Sequence, residues 1–116
     1  MTGISASNVL DLSAWTGAVP ARVVERIAAA RTVLAISHEN PDADTLGASL
    51  AISLIVGAHG GRTTLVCQDA PPALYGFMPG IDRFRTDPEA GLDYDLLAVS
   101  DCGTLDRVGD VGKRHA

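Results

Sequence analysis

The chain has 116 residues, nine Lys/Arg against fourteen Asp/Glu, a formal charge of −5, and a hydrophobic share of 47%. That length suits one domain or part of one, and the apolar share excludes a disordered or coiled chain. The acidic balance excludes a general binder of long nucleic-acid backbones, which needs a basic footprint. Aromatics are only 4% of the chain, so its core must be built from aliphatic side chains.

Residues 1–18 are expected to form a poorly ordered leader, and residues 19–116 one domain. Met1–Trp15 has no positive stretch and contains Asp11, so it does not read as a signal peptide. Pro20 sits where a first-turn proline starts a helix, and Val23, Val24, Ile27 and Ala28 continue it at helical spacing to Arg31. Thr32–Ser37 is a continuous apolar, β-branched run, the pattern of a strand covered on both faces. His38–Asp44 is polar and is broken by Pro41.

A second helix is expected from Thr45 to about His59, with Leu46, Leu50, Leu54 and Ala58 on one face and Gly60-Gly61 as its stop. Its apolar run, Leu46–Ala58, falls short of the roughly 20 residues that a membrane span needs. Thr63–Cys67 reads as a strand and Ala73–Phe77 as a short helix. Pro79-Gly80 is a turn, Ile81–Phe84 a short strand, and Tyr94–Ser100 a buried strand. Strand, helix, strand with short connections predicts an α/β fold with a mainly parallel, Rossmann-like sheet and flanking helices, here incomplete. Cys67 and Cys102 are too few for a disulfide framework and lack zinc spacing, so the expected compartment is the cytoplasm.

In open parallel sheets, ligands gather beyond the carboxyl ends of the strands. Two of these ends carry acidic groups: His38, Asp42 and Asp44 follow the first strand, and Asp101 follows the last. If those strands are neighbours, the four side chains converge on one crevice. Imidazole and carboxylates suit manganese, and magnesium where carboxylates dominate. Two carboxylates this close also repel each other unless a cation lies between them. Each residue has a plain structural role as well. Asp44 suits a helix cap, Asp101 a strand-end turn, and His38 a core histidine. It is the clustering that favours metal.

The Gly57–Gly61 run follows a helix instead of opening one, so it is not a phosphate loop, and Gly109–Lys113 lacks the Walker spacing. Asp106-Arg107 reads as a surface ion pair, and Cys102, Met78 and Trp15 as packing residues.

The stretch from Ile36 to Ser49, with His38, Pro41, Asp42, Asp44 and Gly47 in place, resembles the first motif of the DHH phosphoesterases, H-x-x-P-D-x-D-x-x-G. Val99-Ser100-Asp101 with Thr104–Gly109 resembles their second motif. The likeness runs from about residue 20 to the end and is strongest to the nanoRNase/pAp phosphatase branch, a RecJ-like group with cyclic di-AMP and pApA phosphodiesterases among its relatives.

The resemblance implies a manganese-dependent hydrolase holding two metals on a parallel α/β domain. His38 and Asp42 would bind one ion and Asp44 the other. Asp101 would bridge or share the pair, which makes it the catalytic residue of the set. The substrate would be a small nucleotide or short oligonucleotide: 3′,5′-bisphosphonucleotide, cyclic di-AMP or pApA. The family's Asp-His-His motif does not occur in this sequence. The segment is therefore expected to correspond to the N-terminal part of such an enzyme and to hydrolyse nothing alone. An open sheet edge would leave it free to self-associate. Two competing readings are a receiver-like signalling module, with Asp101 as phosphoacceptor, and a non-catalytic nucleotide-binding piece. The receiver has no place for His38 or for the Pro41-Asp42 loop.

Overall fold

A computed structural model describes residues 17–100 of the chain. Of the expected leader only Gly17 and Ala18 fall within them, and both are exposed. In chain order come α1 (Ala21–Ala29), β1 (Thr32–Ser37), α2 (Ala43–Ala58), β2 (Arg62–Cys67) and β3 (Leu96–Val99), with 3-10 turns at Ala73–Tyr75 and Ile81–Arg83. The strands form a three-stranded sheet in the order β2-β1-β3, and both pairings are parallel. The α/β class and the parallel sheet expected from the sequence are therefore present. No helix among the described residues is long and apolar enough to cross a membrane.

β1 is central and pairs along its whole length with β2, from Thr32 opposite Arg62 to Ser37 opposite Cys67. On its other side Val33–Ile36 pairs with Leu96–Val99. Alternation along the strands sorts their side chains onto two faces. Val33, Leu96 and Ala98 join Ala30, Ile27, Ile52 and Val56 in one cluster that seats both helices. Leu34, Ile36 and Val66 form a second cluster on the opposite face, with Tyr94, Leu97 and Val99 packed against them.

Several local expectations are corrected. Pro20 is the N-cap of α1 and not its first helical residue, and Val23 and Val24 are exposed while Ile27 is half-buried. α2 begins two residues earlier than expected, because Asp42 caps it. Its buried seam is Thr45, Leu46, Ser49, Ser53 and Val56, whereas Leu54 is 75% exposed. A leucine every fourth residue drifts about 40° per step around a helix of 3.6 residues per turn, so that row leaves the sheet. Ile81–Arg83 is a 3-10 turn, not a strand, after Gly80 enters left-handed backbone at φ 85. Ala73–Tyr75 is likewise 3-10, and β3 spans only Leu96–Val99.

The Gly60-Gly61 stop is held by two different constraints. Gly60 has φ 87, which side chains rarely adopt, whereas at Gly61 an added Cβ would lie 2.6 Å from the Ala30 carbonyl oxygen and 2.8 Å from Val56 Cγ1. The Gly61 contact lets the chain leave α2 and enter β2 directly beside the start of β1. Arg62 N–H donates to the Arg31 carbonyl at 2.9 Å.

Asp95 pins β3 to that same end of β1. Its carboxylate accepts from Arg31 N–H at 2.9 Å and Thr32 N–H at 3.2 Å, and its own N–H donates to the Thr32 carbonyl at 2.9 Å. The Arg31 amide bond, ahead of the other contributions, holds the Asp95 carboxyl below the usual aspartate value. A depressed folded-state pKa adds stability above the unfolded value, near 3.9, which is lost as pH falls through the folded value. Asp95→Ala should therefore lower the melting temperature at pH 7 by roughly 5 °C and flatten the loss of stability below about pH 4. Thermal melts of both proteins from pH 7 to pH 2.5 check this, and parallel acid limbs would remove Asp95 from the acid response.

Candidate metal centre

β1 ends at Ser37, so His38 is the first side chain beyond the sheet, and it is only 4% exposed. Its Nδ1 lies 2.6 Å from the Glu39 carbonyl oxygen. A carbonyl can only accept, so Nδ1 carries the proton there. The other nitrogen, Nε2, is 3.7 Å from Asp42 Oδ1. That separation is too long for a hydrogen bond. It suits two donors arranged around one cation.

Asp42 has a second partner. Its backbone is extended, at φ −111 and ψ −178, and its Oδ1 accepts from Thr45 N–H at 3.1 Å. It therefore caps α2, the role expected from the sequence for Asp44. Asp44 stands exposed in the first turn of the helix, where the helix dipole favours a carboxylate. The Asp42 side chain is 55% exposed, so one donor of the pair is buried and the other open to solvent.

Beneath this loop lies a small hydroxyl network that hydrophobic patterning does not register. Ser37 Oγ lies 3.0 Å from Ser49 Oγ and 3.2 Å from the Thr45 carbonyl oxygen. Thr45 Oγ1 donates to the Ser100 carbonyl at 3.4 Å. Three small buried residues on α2 let the helix approach β1 closely while its hydroxyls are satisfied. The last of these bonds ties the exit of β3 to the first turn of α2.

Cys67 belongs to the same edge but not to the candidate donor set. Burial pushes its thiol up to about 11, so it is a neutral group, and its Sγ–H donates to the His38 carbonyl at 3.4 Å.

Of the four candidate donors, then, His38 and Asp42 are brought together and Asp44 stands exposed in the first turn of α2. Among the described residues no group of three His, Cys, Asp or Glu side chains is close enough to hold a metal ion. Asp101 lies outside the described residues, as do Cys102, Asp106-Arg107, Trp15 and the Gly109–Lys113 run. Val99, two residues before Asp101, pairs with Ile36, two residues before His38. The expected neighbouring of the two strands is present, and both run toward the same sheet edge.

A groove of about 650 Å³ lies at the opposite end of β2. Its arginines are engaged internally: Arg62 with Glu89 at 3.0 Å, and Arg83 with Ser53 Oγ at 2.8 Å and the Thr63 carbonyl at 3.1 Å. These contacts fasten the segment after β2 to the domain. No protein-family model matches the chain.

Proposed function

We propose that this domain is the metal-holding part of a manganese-dependent phosphoesterase that acts on small nucleotides or short oligonucleotides. The observation that carries the reading is the His38–Asp42 pair at the carboxyl edge of the central parallel strand, with Nδ1 fixed by a backbone carbonyl and Nε2 facing a carboxylate. A backbone acceptor on one ring nitrogen is how proteins orient a histidine that binds metal through the other. The sequence H-x-x-P-D-x-D from His38 to Asp44 supports the same assignment.

The donor set fits a hard divalent cation: one imidazole and carboxylates. His38 and Asp42 would hold one ion, and Asp44 and Asp101 would complete the place for a second. Such ions, when bound, supply Lewis-acid stabilisation of charge developing on a phosphoryl oxygen. The residues themselves orient and position. Glu39 fixes the imidazole tautomer, the Asp42 carboxylate faces it, and the Ser37–Ser49–Thr45 network holds the base of the loop. An acidic chain also needs local positive charge before an anionic substrate can approach.

The cap bond of Asp42 favours a second reading, in which the loop carboxylates only stabilise α2. One pair of variants separates the two. Asp42→Asn keeps a good cap and removes the charge, so it should leave stability within about 0.5 kcal/mol of wild type. It should nevertheless weaken Mn²⁺ binding at least tenfold by calorimetry. Asp42→Ala should lose both, including about 1 kcal/mol of stability. Unchanged Mn²⁺ binding in Asp42→Asn, or none in the wild type, would leave Asp42 as a cap alone.

A further inference from the structure

We infer that Asp69 is the positioning residue of this edge, an assignment that rests on the metal reading above. The last residue of β2 and the two that follow it grip three consecutive residues leaving β1. Cys67 Sγ–H donates to the His38 carbonyl at 3.4 Å, and Gln68 Nε2 donates to Glu39 Oε1 at 3.4 Å. Asn40 N–H donates to Asp69 Oδ2 at 2.8 Å. The last is the shortest of the three, and its carboxylate acceptor makes it the strongest in kind.

The residue held there is unusual. Asn40 has φ 50, the only positive φ outside glycine among the described residues. Such a conformation persists where the surroundings over-determine it. Pro41 follows and disfavours right-handed helical backbone at Asn40, which leaves extended or left-handed geometry. The carboxylate of Asp69 selects the left-handed one by taking the Asn40 amide. That choice turns the chain back, so that Asp42 arrives 3.7 Å from His38 Nε2. With Asn40 extended, the same sequence would carry Asp42 away from the imidazole. Asp69 thus acts on the pair through the loop backbone, by way of the Asn40 amide.

The test uses the 116-residue chain with two readouts: Mn²⁺ affinity by calorimetry and the hydrogen-exchange rate of the Asn40 amide by NMR. Asp69→Ala should weaken Mn²⁺ about tenfold and speed exchange at Asn40 by a similar factor, with secondary structure unchanged by circular dichroism. Asp69→Asn keeps an acceptor oxygen and should restore most of both, which also covers the case in which Asp69→Ala fails to fold. Adding Asn40→Gly to Asp69→Ala should recover part of the affinity, because glycine enters left-handed backbone without strain. Wild-type affinity in Asp69→Ala, or Asn40 exchange that ignores the substitution, overturns the assignment. Absence of Mn²⁺ binding by the wild type overturns the metal reading and the metal half of this one. The exchange rate judges the loop clamp independently.

Discussion

Truncating Ile36 to alanine is expected to lower the unfolding free energy by about 2–5 kcal/mol. Ile36 is fully buried in the middle strand of three, within the cluster of Leu34 and Val66 and against Tyr94, Leu97 and Val99. Its backbone pairs with Val66 on one side and Val99 on the other, so the strand cannot sink into the space left behind. A site that cannot collapse belongs in the upper half of that range. Urea unfolding read by circular dichroism measures it, with the slope unchanged if only the native packing is affected. Leu54→Ala, on the open face of α2, is the control and should move stability by less than about 0.5 kcal/mol. Equal losses at the two positions would mean that Ile36 is not part of a packed core.

The largest functional effect is expected at Asp101. Asp101→Asn should weaken Mn²⁺ binding by about a hundredfold, since even outer partners of metal ligands are worth 10–100-fold. Its melting temperature without metal should stay level or rise if the Asp101 carboxylate faces those of Asp42 and Asp44, since like charges repel. The chain leading to that position is fixed at Ser100, whose carbonyl accepts from Thr45 Oγ1. Calorimetry and a thermal melt on one preparation give both halves of the result. Wild-type affinity in this variant would take Asp101 out of the donor set, and a large fall in melting temperature would make its role structural.

β1 was legible to the residue, because Thr32–Ser37 is a continuous β-branched and aliphatic run and the strand is covered on both faces. The start of α2 was not, since Asp42 and Asp44 are both good caps and composition cannot choose between them. The choice is made by the extended backbone that follows Asn40 and Pro41. The buried seam of α2 is not legible from apolar spacing, because three of its five members carry hydroxyls. Ser49 and Ser53 are buried where Ser37 Oγ and Arg83 Nη1 meet their hydroxyls, partners far off in sequence.

At the site, His38 and Asp42 could be read from their strand-end position, but Asp69 could not. It lies two residues past a strand with no motif around it, and its importance depends on a backbone amide 29 positions away. β3 came out shorter than its apolar run because the Asp95 carboxylate occupies the Arg31 and Thr32 amides, at the point where the ladder would begin.

The central place of β1 also sets an order of assembly. β1, α2 and β2 are contiguous, so the first pairing closes over one helix and a short turn. β3 must return across the segment from Gln68 to Asp95, which contains no α-helix, to reach the far side of β1; its anchor at Asp95 meets Arg31 across 64 positions. The entropy of closing that longer loop comes due only after the first unit exists. Among the described strands β3 is therefore expected to join last and to open first, and native-state hydrogen exchange should show its amides opening at a lower free energy than those of the β1–β2 pair. On that order the carboxyl edge where His38 and the exit of β3 meet is completed only when β3 docks, and an opening of β3 would take it apart before the β1–β2 pair yields.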